Sequence, residues 1–240
     1  MSKRILITGA SGGIGTGVIP GLFQKGYELV LHSRGALDQL QKDCASQGIE
    51  ATFVSGDLSI EDTVVAIREE LEALGKMPDV LFNNAGVSFS SVSWKTETAD
   101  LDQIMRTNFY TAFLMSKHFV PHMRQQGWGR VVNVSSIVAS KPVFGSSVYA
   151  ASKGAVESFT KGLAMDVVNK GVTANCFAYG YMDAGMIDTL TDEMKAGLLA
   201  EIPSGKFGPT ADVVAALEYI IGASYVTGET LHINGGYFMA

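Results

Sequence analysis

The chain has 240 residues, a net charge of −6 and a charged fraction of only 18%. That length suits one large α/β domain, and the negative charge without any basic block argues against a nucleic-acid-binding protein. The two cysteines are too few for a disulfide framework, and no apolar run approaches the ~18 residues that span a bilayer. We therefore expect a soluble, cytoplasmic protein that binds neither nucleic acid nor membrane.

The first motif is a glycine-rich segment between a strand and a helix. Residues 4–8 read as a short buried strand, residues 9–15 are GASGGIG, and a helical pattern covers about residues 14–25. Gly9 permits a tight turn, Gly13 lets a pyrophosphate approach closely, and Gly15 allows the helix to pack on the strand. The helix N-terminus adds amide donors for phosphate. An ordinary glycine turn is the alternative that this segment alone leaves open.

The end of the second strand bears on the choice of cofactor. The strand covers residues 27–32 and ends in His32, Ser33 and Arg34, without a carboxylate. An acidic residue here would bind the ribose diol of NAD(H), whereas arginine accommodates the 2′-phosphate of NADP(H). The sequence therefore favours NADP(H), with Ser33 and Arg34 as phosphate ligands. Alternatively, Arg34 is a solvated charge that opens the next helix, over about residues 36–47.

Polar residues also follow the third and fourth strands, at residues 49–55 and 78–82. Asp57 is placed to accept a hydrogen bond from the adenine amino group or to cap the helix over about residues 60–74, and the two roles are compatible. The fourth strand runs into Asn83, Asn84, Ala85 and Gly86. We expect the two amides to tie the carboxyl edge of the sheet together, or to form a plain Asx turn.

A long helical pattern covers about residues 99–126, after a Ser- and Thr-rich loop at residues 87–99. We expect Pro121 to break or bend this helix, and Asn108 is a poor residue for a helix interior. Asn108 either bonds backbone and frees a carbonyl for water, or is a tolerated polar residue. His118 and His122 stand four apart, but without a third ligand we interpret them as surface histidines and expect no metal site.

The fifth strand, at residues 129–134, leads to the candidate proton-transfer residues. Ser136 follows the strand, and Tyr149 and Lys153 lie one turn apart on a helix over about residues 147–169. An ammonium favours the phenolate of its neighbour, so Tyr149 is suited to donate and accept a proton while Ser136 steadies the oxygen being protonated. Small residues on the same helix permit another helix to approach closely across a subunit interface.

The rest of the chain completes an α/β pattern. A sixth strand at residues 171–177 precedes an irregular stretch at 178–207, with one short helical pattern near 191–201, which we interpret as a substrate lid rather than a surface excursion. A last helix at about 210–222 and a strand at 230–233 follow. We expect a single-domain Rossmann fold over residues 1–240, with a seven-stranded, mostly parallel, doubly wound sheet and helices on both faces.

The motifs together resemble those of the short-chain dehydrogenase/reductase family over essentially the whole chain. TGASGGIG at residues 8–15, NNAG at 83–86, and Ser136 ahead of YAASK at 149–153 carry the resemblance. It implies a catalytic tetrad of Asn108, Ser136, Tyr149 and Lys153. In the implied reaction Tyr149 is the general acid, Lys153 lowers its pKa and holds the ribose hydroxyls, and Asn108 keeps a water.

Within the family, three phrases are most similar to the 3-oxoacyl-acyl-carrier-protein reductases: GWGRVVNVSS, NKGVTANC and VTGETLHINGGYFMA. This resemblance implies NADPH-dependent reduction of a β-ketoacyl thioester, in fatty-acid or polyketide-like biosynthesis. It also implies a homotetramer, with an acyl carrier protein as partner and with Arg130 and Lys170 as carrier contacts.

The resemblance also implies the cofactor contacts, which share positions at strand ends, in the glycine-rich segment or in the lid. They are Gly9, Ser11, Gly13, Ile14, Gly15, Ser33, Arg34, Asp57, Leu58, Asn84, Ala85, Gly86, Tyr149, Lys153, Gly180 and Met182. Two departures fall in the lid, where Tyr179 replaces the family's proline and Ala184 its nicotinamide-contacting threonine. Tyr179 or Tyr181 either lines a substrate channel or packs under the lid.

Two other functions stay open on the sequence. One keeps the enzyme class but changes the substrate to another small ketone, an alcohol or a sugar. The other is a non-catalytic protein that senses NADP(H) or serves as a scaffold. The altered segment at residues 178–184 permits this last function, whereas the intact set of Ser136, Tyr149 and Lys153 opposes it.

Overall fold

The computed structural model describes residues 2–35, 37–185, 187 and 190–239. Within these residues, seven strands form one sheet: β1 Arg4–Ile7, β2 Glu28–Ser33, β3 Ala51–Ser55, β4 Val80–Asn83, β5 Gly129–Ser136, β6 Val172–Tyr179 and β7 Thr230–Ile233. Their order is β3-β2-β1-β4-β5-β6-β7, and every neighbouring pair is parallel. The carboxyl ends of the strands therefore share one edge. The strand order reverses between β1 and β4, which is where such sheets bind ligands.

Helices cover both faces of this sheet. In the described residues they are α1 Gly13–Gln24, α2 Asp38–Ser46, α3 Glu61–Ala73, α4 Thr98–Met105, α5 Thr111–Gln126, α6 Ser147–Val167, α7 Asp192–Glu201 and α8 Thr210–Gly222. Core residues of α1, α2 and α8 pack on one face, and those of α3, α5 and α6 pack on the other. Successive strand residues alternate between the faces, so Ile5 and Ile7 join the first core and Leu6 the second. The predicted doubly wound Rossmann fold is confirmed, with an entirely parallel sheet.

The long helix predicted at residues 99–126 is divided, but not at Pro121. A π-helical turn at residues 106–110 separates α4 from α5, and α5 continues through Pro121. Proline removes the hydrogen bond to the Lys117 carbonyl, and because both residues are exposed, water can replace that donor. The predicted break at Pro121 is therefore absent. The interruption falls instead at Asn108, which lies within the π-helical turn.

Arg130 is an interior residue, which corrects its expected role as a carrier contact. It is only 3% exposed. Its Nε donates to the Ile221 carbonyl at 3.1 Å, and its Nη1 donates to the carbonyls of Gly129 at 2.8 Å and Gly171 at 3.3 Å. The guanidinium also lies 4.4 Å from the centroid of the Trp128 ring. Because Arg130 is at the start of β5, it lies at the end of the strand away from the carboxyl edge.

Arg130→Ala should lower the free energy of unfolding by about 2–3 kcal/mol, because it removes packing and leaves buried carbonyls without donors. Lys170→Ala is the matched control, since Lys170 is exposed and should change stability by no more than about 0.5 kcal/mol. Urea denaturation followed by circular dichroism measures both. Equal stability of the two variants would contradict the structural role of Arg130.

Candidate active site

The ends of β4 and β5 and the start of α6 bring the four predicted catalytic residues together. A Cβ atom placed on Gly86 would lie 3.2 Å from both the Asn108 Oδ1 and the Lys153 Nζ. The Lys153 Nζ is 5.9 Å from the centroid of the Tyr149 ring. Ser136 is the last residue of β5, and its side chain forms a hydrogen bond with Tyr149. Four parts of the fold thus meet at this site: the π-helical turn at residues 106–110, α6, the end of β5 and the turn after β4.

Burial controls the charge states of Lys153 and Tyr149. Lys153 is 4% exposed, and its Nζ donates a hydrogen bond to the Val134 carbonyl at 2.9 Å. Burial lowers the pKa of Lys153 to about 8. Burial also raises the pKa of Tyr149, and the hydrogen bond with Ser136 opposes that increase only in part. The pKa of the phenol is therefore raised rather than lowered, and the phenol holds its proton at neutral pH.

Asn108 binds the turn after β4 through its side-chain amide. Its Oδ1 accepts from the Val87 amide at 2.8 Å, and its Nδ2 donates to the Val87 carbonyl at 3.0 Å and to the Ser152 Oγ at 3.0 Å. The prediction that Asn108 bonds backbone is confirmed. Ser152 is a site residue that the sequence analysis missed, although its position directly before Lys153 was an available signal.

The glycine-rich segment forms a cradle that side chains would fill. A Cβ on Gly9 would lie 2.9 Å from the Ala85 Cα, and one on Gly15 would lie 2.4 Å from the Gly9 carbonyl oxygen. At Gly13 the close neighbour is the lid, because a Cβ there would lie 2.2 Å from the Gly185 amide nitrogen. The helix α1 also begins at Gly13. Bare backbone beside a helix N-terminus fits the pyrophosphate of a dinucleotide.

His32 is a second residue that the sequence analysis missed. The ring is buried in β2, with its Nε2 2.9 Å from the Gly56 carbonyl oxygen and its Nδ1 3.4 Å from the Gly9 amide nitrogen. Burial lowers the pKa of His32. The neutral ring can donate from Nε2 and accept at Nδ1, and so it links the glycine-rich segment to the turn after β3. The sequence feature that could have indicated this role is a histidine that directly follows the apolar residues of β2.

The predicted adenosine-binding residues lie at the ends of β2 and β3. Ser33 is buried, with its Oγ 2.9 Å from the Ser11 Oγ, and Arg34 beyond it is exposed. Asp57 Oδ1 accepts a hydrogen bond from the Ser59 amide at 2.9 Å, and that bond lowers the pKa of Asp57. Because α3 begins further along the chain, Asp57 forms an Asx turn and is not the predicted helix cap.

Asn83 and Asn84 connect three strands. Asn83 Nδ2 donates to the Asn133 Oδ1 at 2.8 Å, and Asn133 Nδ2 donates in turn to the Thr160 Oγ1 of α6 at 2.9 Å. Asn84 Nδ2 donates to the Thr8 carbonyl at 3.1 Å, beside the glycine-rich segment. The prediction that these amides hold the carboxyl edge together is confirmed.

Tyr179 takes the second of the two roles that the sequence left open, because it packs in the core together with the lid residue Met182. This residue ends β6 and is buried beside Phe177 in the core under α1 and α8, so it does not line a channel. The half-buried Tyr181 contacts the ring of Tyr237, with centroids 5.5 Å apart. The Tyr237 hydroxyl donates to the Glu201 carboxylate at 2.8 Å, which ties α7 to the C-terminal segment. Residues 186, 188 and 189 of the predicted lid lie outside the described residues.

The remaining predicted cofactor residues occupy the same region, in α1 and in the turns after β1, β3, β4 and β6. They are Ser11, Ile14, Leu58, Ala85, Gly180 and Met182. The Ala85 amide donates to the Thr8 Oγ1 at 2.9 Å, and the Gly180 amide donates to the Ile233 carbonyl at 2.9 Å. The glycine cradle and these turns are the parts of the chain that would hold a nicotinamide dinucleotide.

The described residues contain no group of three or more His, Cys, Asp or Glu side chains arranged to hold a metal ion. His118 Nε2 lies 2.8 Å from the Glu61 Oε1, so this histidine pairs α5 with α3. Within the same part of the chain, no helix is both long enough and apolar enough to cross a bilayer.

Gly13→Ala should weaken binding of the nicotinamide dinucleotide by about tenfold, because the added methyl would overlap the lid backbone at Gly185 and displace it. Gly12→Ala is the matched control, since the nearest neighbour of a Cβ there is the Gly9 carbonyl oxygen at 3.4 Å, an ordinary contact. Titration of the protein with NADPH, followed by fluorescence, measures both affinities. If the two variants bound equally well, the proposed contact between cradle and lid would be refuted.

Comparisons with known proteins agree with this geometry. The short chain dehydrogenase family matches residues 3–195. Nodulation protein G of Rhizobium sp. (strain N33) is 32% identical over 99% of this chain and 97% of its own length. The 3-oxoacyl-(acyl-carrier-protein) reductase of Vibrio harveyi is 33% identical over 99% of this chain and 98% of its own. The reductase of the same name from Staphylococcus aureus (strain Mu50) is 31% identical over 100% and 99%.

A solved structure gives the same result. The crystal structure of a protein assigned as a gluconate dehydrogenase, from Agrobacterium tumefaciens, superposes with a TM-score of 0.92 at 26% identity, over 98% of this chain and 95% of that one. The family match spans most of the chain, and the relatives align with it from end to end. This chain therefore belongs to the short-chain dehydrogenase/reductase family and is a nicotinamide-dependent oxidoreductase.

Proposed function

We propose that this chain uses NADPH to reduce the ketone of a β-ketoacyl thioester, the 3-oxoacyl-acyl-carrier-protein reaction of fatty-acid or polyketide-like biosynthesis. The observation that carries the proposal is the convergence of Ser136, Tyr149 and Lys153 beside the glycine cradle. End-to-end similarity to two 3-oxoacyl-(acyl-carrier-protein) reductases supports this choice of substrate. The free, buried thiols of Cys44 and Cys176 fit a reducing, cytoplasmic compartment.

The catalytic roles follow from the charge states of the side chains. A bound nicotinamide supplies the hydride that reaches the ketone carbon. Tyr149 donates its proton to the ketone oxygen, and burial favours that role because it keeps the phenol protonated at neutral pH. Ser136 donates a hydrogen bond to the same oxygen as negative charge develops on it.

Lys153 and Asn108 support this proton transfer. The buried ammonium of Lys153 holds the ribose hydroxyls of the cofactor and is part of the path that reprotonates Tyr149. Asn108 positions the turn at Gly86 through its two bonds to Val87. We propose that the water that completes the path binds at a backbone carbonyl of the π-helical turn at residues 106–110.

NADPH is the proposed cofactor because Ser33 and Arg34 end β2 without a carboxylate. We further propose a homotetramer, because α5 and α6 expose large apolar side chains that another copy would cover: Phe113, Met165 and, just beyond the helix ends, Tyr110 and Val168. An acyl carrier protein is the proposed partner. Of the two carrier contacts that the resemblance implied, only Lys170 is exposed.

A specific observation favours a second candidate. The structure assigned as a gluconate dehydrogenase superposes over nearly the whole chain, so oxidation or reduction of a sugar acid is the alternative reaction. The third function that the sequence left open, a non-catalytic NADP(H)-sensing or scaffold protein, is opposed by the family membership and by the intact set of Ser136, Tyr149 and Lys153. Assays with a ketoacyl thioester, with gluconate and NADP⁺, and with NADPH alone separate the three.

Wild-type protein should oxidise NADPH in the presence of the acetoacetyl thioester of N-acetylcysteamine, and Tyr149→Phe should lower this turnover by about 10³-fold or more, because it removes the proton donor. NADPH affinity, measured by fluorescence, should change little in the variant. Tyr225→Phe is the control, since Tyr225 is fully exposed. Normal turnover by Tyr149→Phe would refute the mechanism, and no turnover with any thioester would refute the substrate.

Arg34→Asp should lower the preference for NADPH over NADH by about tenfold or more, because a carboxylate repels the 2′-phosphate and binds the ribose diol instead. Lys42→Asp makes the same charge change on the exposed side of α2 and serves as the control. The ratio of kcat/KM values for the two cofactors is the measurement. A ratio that falls equally in both variants would assign the effect to net charge rather than to a phosphate contact.

A further inference from the structure

An apolar groove of about 200 Å³ opens on the surface between two loops. Its walls are Val92 and Trp94 on the loop after β4, and Pro142, Val143 and Phe144 on the segment between β5 and α6. Trp94 is 77% exposed and Phe144 is 86% exposed. No charged side chain lines the groove. Large exposed aromatic side chains around a concave surface are typical of a binding site.

The groove is held in shape by hydrogen bonds beneath it. The Ser91 amide donates to the Gly145 carbonyl at 2.9 Å, which joins the two loops. The Ser146 hydroxyl accepts from the Val143 amide at 2.9 Å and donates to the Val143 carbonyl at 2.7 Å. Gly145 has a positive φ of 78°, which suits glycine. The backbone is therefore tied, and the aromatic side chains remain exposed above it.

Both walls of the groove lead to the candidate active site. The loop that carries Trp94 begins at Val87, which the Asn108 amide holds. The segment that carries Phe144 runs into α6, and Ser147 in the groove lies two residues before Tyr149. Each wall of the groove is therefore only a few residues along the chain from a residue of the candidate active site.

We propose that this groove binds the hydrocarbon chain of the ketone substrate, with Trp94 and Phe144 as the residues that determine chain-length preference. This inference rests on the proposed function and extends it to the part of the substrate beyond the carbonyl. The lining suits hydrocarbon rather than the amide-bearing arm of a carrier thioester, because it offers neither charged nor side-chain amide groups. Burying each methylene there lowers KM more than it changes kcat, since the groove holds substrate and transition state alike.

A chain-length series tests the groove through activity. With saturating NADPH and 3-oxoacyl thioesters of N-acetylcysteamine, kcat/KM of the wild type should rise by about twofold to fourfold per methylene between four and eight carbons. In the double variant Trp94→Ala, Phe144→Ala this rise should disappear, with the four-carbon value unchanged. Tyr225→Ala removes an equally exposed aromatic residue elsewhere and should keep the rise. An unchanged rise in the double variant would overturn the proposal.

A binding measurement separates the groove from the reaction. Octanoyl-N-acetylcysteamine has no ketone, and it should give a saturable blue shift of tryptophan emission in the wild type but not in Trp94→Phe, which retains only Trp128. No shift, together with normal acetoacetyl reduction, would overturn the groove and leave the proposed function intact. A shift without reduction of any ketone would overturn the proposed function instead. Dissociation of the double variant in light scattering would make the groove a contact between copies and would also overturn the proposal.

Discussion

The hydrogen bond from the Lys153 ammonium to the Val134 carbonyl joins α6 to the end of β5, and the candidate site depends on it. The β5 residues on either side bond the same helix. Ser135 Oγ donates to the Glu157 Oε1 at 2.7 Å, and Asn133 donates to a threonine one turn further along. These contacts determine where α6 lies along β5. They therefore also determine the distance between Tyr149 of α6 and Ser136 at the end of β5. A buried ammonium next to a neutral carbonyl is costly, and its lowered pKa expresses that cost.

Close backbone contact is the second constraint on the site. The glycine cradle touches the turn after β4 at Ala85 and the lid at Gly185. The lid is anchored at its other side by the bond from Tyr237 to Glu201 and by the Lys141 Nζ, which donates to the Tyr237 carbonyl at 3.0 Å. Lys141 follows the catalytic strand, so the lid, the C-terminal segment and the serine-bearing loop form one connected wall. Burial raises the pKa of Tyr237, which keeps its hydroxyl a hydrogen-bond donor to Glu201.

The sequence-based expectations that the structure corrected or decided share one cause, which is that each depended on surroundings contributed by distant parts of the chain. Arg130 was expected to contact a carrier protein, yet carbonyls from the end of α8 and from the turn before β6 surround it. Tyr179 was assigned either to a channel or beneath the lid, and the packing of α1 and α8 decided that it is buried in the core. Pro121 was expected to break or bend a helix, and no break occurs because its exposed position makes the lost hydrogen bond tolerable.

The sequence by itself determined the order of strands and helices, the positions of the glycine cradle, Ser136, Tyr149 and Lys153, and the absence of a carboxylate after β2. These features are local, because periodicity, turn residues and one-turn spacing on a helix need only a few neighbouring residues. Only the tertiary structure decided that Asn108 lies in a π-helical turn bonded to Val87, that burial raises the pKa of the Tyr149 phenol, and that His32 supports the cradle. Those properties arise from desolvation and from contacts between residues far apart in the chain, which no short stretch of sequence contains.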